Sequence, residues 1–302
     1  MEQTMFTNEV ILSWLQYFSQ NAPFNLAKLK MLDITGKNKN LIPTVMSNRL
    51  VLVFTDAGHP EVFYDMWNAE LGDCEIWYNE GSDPAGEIKH DKVSDMINRG
   101  INASAAMLIM NPNAATNYPI GIENSRFSCG SVHYVCREVR AIIMNKLNVG
   151  DQDNICIISG ESIAVEAAMI AGEGSVIAVE YDRRDQVTMK CNVDKFGLNN
   201  VIIVESLEDG ILDNLPVPGK AFIVASARID SEIKSLRAVN PGMEFVIYTL
   251  DFEILTSLPA LLRENGLERT EAIHIAVARV NSKKMVEPFP APWLITATRV
   301  EE

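Results

Sequence analysis

Few side chains in this chain of 302 residues are placed to do chemistry. The five cysteines, Cys74, Cys129, Cys136, Cys156 and Cys191, form no C-x-x-C pair, and none of the four histidines stands at ligand spacing from another. A metal centre needs such clustering, so no metal ligands are assigned and the cysteines read as reduced structural thiols. Cys156, inside an apolar run, reads as a small core residue. The carboxylates are more informative. Glu161 follows the run Asn154–Ile158 and the pair Ser159-Gly160, where an acid in the first turn of the next helix complements the helix dipole. Glu180 ends a second apolar run, as a ligand-binding acid or as the polar end of a strand reaching the surface. Arg228 follows a third run and is placed either to meet an acidic group or to lie in solvent. No catalytic residue is assigned.

These residues gain meaning from the elements that carry them. In the second half, strands are predicted at Asn154–Ile158, Ser175–Glu180, Val201–Val204, Ala221–Ala225 and Phe245–Leu250. Helices alternate with them at Ile163–Ala171, Arg183–Phe196, Ser231–Val239 and Ile254–Asn265, closed in three cases by Gly172, Gly197 and Gly266. Such alternation implies right-handed crossovers and a parallel sheet. Ala272–Val280 and Trp293–Arg299 then follow as two strands joined by a loop, an antiparallel hairpin. A nicotinamide-binding fold would continue β-α-β. An amphipathic helix with apolar residues from Val132 to Leu147 precedes the first strand.

The first half is α/β with a less regular pattern. Val10–Phe18, Glu61–Trp67 behind Pro60, and Lys89–Asn98 read as helices. Arg49–Phe54, Glu75–Tyr78 and Ala105–Met110 read as strands. A turn-rich stretch from Asn111 to Gly121 through Asn117-Tyr118-Pro119 reads as an interdomain connection. The expected organisation is a small α/β domain over 1–125 and a larger one over 126–302.

Hydrophobic residues make up 47%, enough for two cores, and the net charge of −14 is divided evenly between the halves. Acidity of this kind opposes affinity for nucleic acid and for anionic membrane, which both require basic patches. No apolar stretch is long enough for a membrane span, and the N-terminus lacks a signal-peptide pattern, so a cytoplasmic location is the default expectation.

The run Arg137-Glu138-Val139-Arg140-Ala141 to Lys146-Leu147 resembles the helix that opens the decarboxylating half of the precorrin-6Y methyltransferases of cobalamin biosynthesis. The resemblance continues through Val165-Glu166-Ala167-Ala168, Ala178-Val179-Glu180, Phe196-Gly197-Leu198-Asn199-Asn200-Val201 and Pro292-Trp293-Leu294-Ile295. Leu52-Val53-Phe54-Thr55-Asp56, His59-Pro60, Gly121 and Phe127 are similar to the later part of the other half of that fused enzyme. That half opens with a Gly-rich domain, for which the chain starts too late. The resemblance implies a seven-stranded, Rossmann-like class I S-adenosylmethionine methyltransferase fold, closed by the antiparallel hairpin. It also implies a homo-oligomer and a tetrapyrrole or corrin precursor as ligand.

In that fold a G-x-G-x-G turn after the first strand holds the methionine end of the cofactor, because glycine permits unusual φ values and close backbone approach. Anchored on Val165–Ala168, the three glycine positions fall on Ile157, Ser159 and Glu161, and a shifted register recovers only Gly160. Glu180 takes the place of the acid that accepts hydrogen bonds from the ribose. Ser206-Leu207 stand where Gly-Asp faces adenine, and Ala225-Ser226-Ala227 with Arg228 replace a Gly-rich substrate-side loop. Val135-Cys136 replace a Thr-Lys pair.

Three readings follow. In the preferred one, a diverged relative binds S-adenosylmethionine poorly or not at all and acts as a binding or assembly module. In the second, an active S-adenosylmethionine-dependent precorrin methyltransferase and decarboxylase has a rebuilt loop. A nicotinamide-dependent oxidoreductase comes last, since its own G-x-G-x-x-G turn is equally absent.

Overall fold

The computed structural model describes residues 7–35, 40–55, 61–97, 105–114, 120–130, 135–208 and 210–300. Pro60, His59, Asp56, Asn117-Tyr118-Pro119 and Val132, all invoked above, lie outside them. The chain forms two compact units, residues 1–118 with 195–199, and residues 119–194 with 200–302.

The first unit contains helix α1 (Asn8–Asn21), strand β1 (Lys30–Asp33), α2 (Leu41–Ser47), β2 (Leu50–Phe54), α3 (Val62–Asn68), β3 (Glu75–Tyr78), β4 (Lys89–Lys92), α4 (Val93–Met96) and β5 (Ala106–Met110). The sheet order is β1-β2-β5-β3-β4, parallel only between β1 and β2. Alternation along β2 builds two cores. Val51 and Val53 pack with residues of α2, α3 and α4 on one face, while Leu50, Leu52 and Phe54 pack with Trp14 and Phe18 of α1 on the other. The helix expected over Lys89–Asn98 is divided instead. Lys89–Lys92 pairs with β3 at the sheet edge, and only Val93–Met96 is helical. An edge strand of sequence Lys-His-Asp-Lys has no apolar alternation to reveal it. Pairing is reinforced by the His90 ring stacked on Trp77 and by the Tyr78 hydroxyl donating to Asp91.

The second unit has α5 (Arg137–Leu147), β6 (Asn154–Ile158), α6 (Glu161–Ile170), β7 (Ser175–Val179), α7 (Arg183–Lys195), β8 (Val201–Val204), β9 (Lys220–Val224), α8 (Ile229–Val239), β10 (Glu244–Thr249), α9 (Phe252–Glu264), β11 (Leu267–His274), β12 (Ala278–Val280), β13 (Val286–Pro288) and β14 (Trp293–Arg299). Its seven-stranded sheet has the order β11-β14-β10-β9-β6-β7-β8. Strands β6 to β10 are parallel and β14 runs antiparallel between β10 and β11. The expected closing hairpin is present, but its first strand is Leu267–His274. Ala278–Val280 pairs with β13 in a separate small ribbon. Glu268 to Glu271 are exposed on the sheet edge, so this strand lacks the apolar signature of the central ones.

Strands β7 and β9 flank β6 on opposite sides, so the chain reverses direction across the sheet there. In open α/β sheets a crevice forms at such a switch point, at the carboxyl ends of the strands. Cys156 and Ile158 of β6 face the core under α8 and α9, where Cys156 is fully buried. Among the described residues, no helix is long and apolar enough to cross a membrane.

One buried ion pair organises the entry to this unit. Arg140 and Glu166 are both fully buried, with Nε of the arginine 2.8 Å from the carboxylate. Glu166 also accepts from the backbone N–H groups of Gly121 and Ile122, at 3.1 and 2.9 Å. Arg140 donates to Asn124 Oδ1, to the Val135 carbonyl and to the Ile122 carbonyl, and its guanidinium lies over the Phe127 ring. Breaking such a pair from one side leaves an uncompensated buried charge. Arg140→Met is therefore expected to destabilise this unit by about 3–5 kcal/mol in urea denaturation. Adding Glu166→Leu should recover only part of that, because Gly121 and Ile122 would then lose their acceptor.

Candidate functional site

The turn after β6 is built from one strained residue and one small one. Ser159 has φ of +54°, a left-handed conformation that side chains other than glycine rarely adopt, and its N–H donates to the Val179 carbonyl at 3.0 Å. Gly160 follows as the residue before α6. A methyl group there would stand 2.8 Å from Ile157 Cγ2 and 3.2 Å from the Phe222 ring, so the close approach requires glycine. Ile157 is buried and supplies that packing. The backbone demands of a glycine-rich turn thus persist, met by glycine at one position and by a strained serine at the other.

Glu161 does stand in the first turn of α6, but its carboxyl is not simply solvated. Oε1 is buried and accepts no hydrogen bond. Burial and the nearby Asp185 raise its pKa to about 7. Glu180, directly after β7, is only 3% exposed, and its Oε1 likewise accepts no hydrogen bond. Burial, then Glu161 and Asp185, raise the Glu180 carboxyl to about 8, against the opposing effect of a hydrogen bond from the Gly160 N–H. The loop and the acid of the second strand are thereby joined at one point.

The sequence did not single out the rest of this cluster. Asp185 is a buried residue in the first turn of α7. Gly130 lies against both acids: a methyl group on it would be 2.5 Å from Glu161 Oε1 and 2.6 Å from Asp185 Oδ1. Asn192, fully buried on α7, holds the approach to Gly130 by accepting from the Ser128 N–H at 2.7 Å and donating to the Ser128 carbonyl at 3.2 Å. A polar residue buried on a mostly polar helix gives no periodic signal, which is why Asp185 and Asn192 escaped notice.

The loop at residues 225–228 joins this region through the residue next to Glu180. Arg228 is exposed, and its guanidinium lies 4.5 Å over the Tyr181 ring. The Tyr181 hydroxyl donates to Glu232 Oε1 at 2.8 Å, and Glu232 is buried on α8. Ser226 Oγ accepts from the Arg228 N–H, and Ala225 N–H donates to the Tyr248 carbonyl, while Ala227 is exposed. Ser206 and Leu207 serve locally: Ser206 Oγ accepts from the Glu208 N–H, and Leu207 packs against the core under α8 and α9.

The two raised acids carry a pH signature. In the folded chain Glu161 and Glu180 keep their protons to about 7 and 8, against an ordinary 4.5. Their contribution to stability is therefore complete below about pH 4.5 and is lost as pH rises toward 8. Urea denaturation between pH 5 and 9 should show that decline, and Glu180→Gln should flatten it. An equally steep decline in the variant would refute the assignment.

No family model matches the chain. Two relatives, each described as "Probable cobalt-precorrin-6B C(15)-methyltransferase (decarboxylating)", align with about half of it. The protein of Sulfurisphaera tokodaii is 31% identical over 47% of this chain and 76% of its own length. That of Pyrobaculum calidifontis is 34% identical over 48% and 77%. Among solved structures, the precorrin-6y C5,15-methyltransferase of Geobacter metallireducens is 26% identical with a TM-score of 0.56, covering 61% of this chain and all of that one. The precorrin 8W decarboxylase of Methanobacterium thermoautotrophicum, 20% identical with a TM-score of 0.52, covers 59% of this chain and all of its own and shares the fold. With the class I Rossmann-like architecture and the extent of these matches together, the chain belongs to the family of decarboxylating cobalt-precorrin C(15)-methyltransferases.

Proposed function

We propose that this protein is a diverged member of its family that keeps the methyltransferase fold, binds S-adenosylmethionine weakly or not at all, and works as a binding or assembly module. A tetrapyrrole or corrin precursor is the ligand class that its relatives' names suggest, and a homo-oligomer is the proposed form. The observation that carries this reading is the Glu161 carboxyl at the turn after β6, beside Glu180 and Asp185.

S-adenosylmethionine brings a carboxylate of its own to such a turn. At ~4 Å from an ionised glutamate it would be repelled by about 1–4 kcal/mol, depending on the effective dielectric. Keeping Glu161 protonated avoids the repulsion but couples binding to proton uptake, which penalises it above pH 7. The Gly130 backbone against Glu161 further narrows the space. The residues present therefore fit this cofactor poorly.

An active precorrin methyltransferase is the second reading. The left-handed Ser159 and the Gly160–Glu180 hydrogen bond favour it, since both preserve backbone features of a cofactor turn. Isothermal titration of the full chain with S-adenosylmethionine separates the two. The proposal expects dissociation constants above roughly 100 μM at pH 8. Micromolar binding, or methylation of a precorrin with release of carbon dioxide, overturns it. Glu161→Gly, which removes the repelling group, is expected to tighten binding at least about tenfold.

A further inference from the structure

The carboxyl groups that disfavour an anionic ligand end define what the crevice does favour. Glu161 comes from the first turn of α6, Glu180 from the end of β7 and Asp185 from the first turn of α7, so three separate elements deliver acid to one place. Each of the two glutamates has a neighbouring acid acting to hold its proton on. Acidic clusters occur on many surfaces as solvated faces, but here Glu180, Asp185 and one oxygen of the partly buried Glu161 are withdrawn from solvent. Glu180 is 97% buried, on its 3% exposure, and its Oε1 accepts no hydrogen bond. Glu161 Oε1 is in the same condition. Two enclosed acceptor oxygens with no donor call for N–H groups, and negative neighbours call for those N–H groups to carry positive charge.

Among the described residues, the neighbouring cations do not supply this. Arg184 is exposed and paired with Asp182, Arg183 is exposed, and Arg228 lies over Tyr181. The Thr188 hydroxyl, near Gly130, donates to the Arg184 carbonyl. A divalent metal is a poor match, because no group of three or more histidine, cysteine, aspartate or glutamate side chains among the described residues could hold one. An ammonium group, with three donors and a single charge, matches two unpartnered oxygens in a confined acidic setting.

We infer that the crevice at Glu161, Glu180 and Asp185 recognises a small ligand by an ammonium end and rejects its carboxylate-bearing counterpart. This rests on the reading that the S-adenosylmethionine site has diverged, and it assigns the chemistry toward which it has diverged. Cation binding must displace protons from the glutamates, so affinity rises as pH increases through about 7 to 8, opposite to the trend for a ligand carboxylate.

The test is isothermal titration of the full chain with decarboxylated S-adenosylmethionine and with S-adenosylmethionine, from pH 6 to 8.5. The first keeps the amine and lacks the carboxylate. It is expected to bind at least tenfold more tightly at pH 8, with proton release visible as a heat that changes with buffer ionisation enthalpy. Glu161→Gln and, as a second variant, Glu180→Gln should each shrink the preference below threefold. The wild-type pH trend stands as evidence even if a variant misfolds. Binding of the decarboxylated compound no tighter than that of S-adenosylmethionine, or no binding of either, overturns the inference. Micromolar S-adenosylmethionine binding overturns the diverged-module reading by itself, and the ratio of affinities then decides the inference separately.

Discussion

The guanidinium of Arg140 and the carboxylate of Glu166 have no exposed surface, and the layout of the second unit depends on their being paired. A charge removed from water without compensation would be untenable, so every donor and acceptor around the pair is constrained by it. Glu166 takes two backbone N–H groups of the incoming strand of chain, and Arg140 returns hydrogen bonds to the carbonyls of Ile122 and Val135. Gly121 and Ile122 at one end, and Val135 at the other, are thus held against α5 and α6. Between those ends, Asn192 grips Ser128, and Gly130 comes to rest on the acids of the crevice. The ion pair thus anchors the same stretch of chain, 121–130, that brings Gly130 to the acids.

That dependence explains why two motifs noticed for their resemblance, Arg137–Ala141 and Val165–Ala168, are separated in sequence yet act together. Each supplies one partner of the pair. Much of the second unit was legible for a related reason: strands β6, β7, β9 and β10 are largely buried and read as apolar runs between helices. Legibility failed at edges. β4 and β11 are polar because one side of each meets solvent, and β1 and α2 of the first unit are too short to show a period. A sequence pattern reports burial, and the two edge strands have little of it.

The site was legible in part. Ser159, Gly160, Glu161 and Glu180 were placed correctly on one turn and one strand end, because both follow directly from strands that are easy to read. What sequence reasoning missed was long-range. Asp185, Asn192 and Gly130 matter only through their neighbours in space, and a buried aspartate in Arg183-Arg184-Asp185-Gln186 looks like any solvated helix start. Glu161 shows the same limit from the other side. Its position in a first turn was foreseeable, whereas its enclosure by Gly130 and Asp185 was not.

Enclosure gives position 161 an electrostatic setting that a glycine there would not feel. If the glycines of the turn had simply drifted under relaxed constraint, small or solvated polar residues would serve equally well at position 161. Instead the position holds an acid whose oxygen is shielded from water, next to a second acid in the same state. Such an arrangement costs stability above neutral pH, since each carboxyl must either stay protonated or ionise beside a like charge. The backbone strain at Ser159 adds to that cost while preserving the path of the turn. On the proposal that the turn has diverged, a ligand of opposite sign accounts for a geometry of this cost better than decay does.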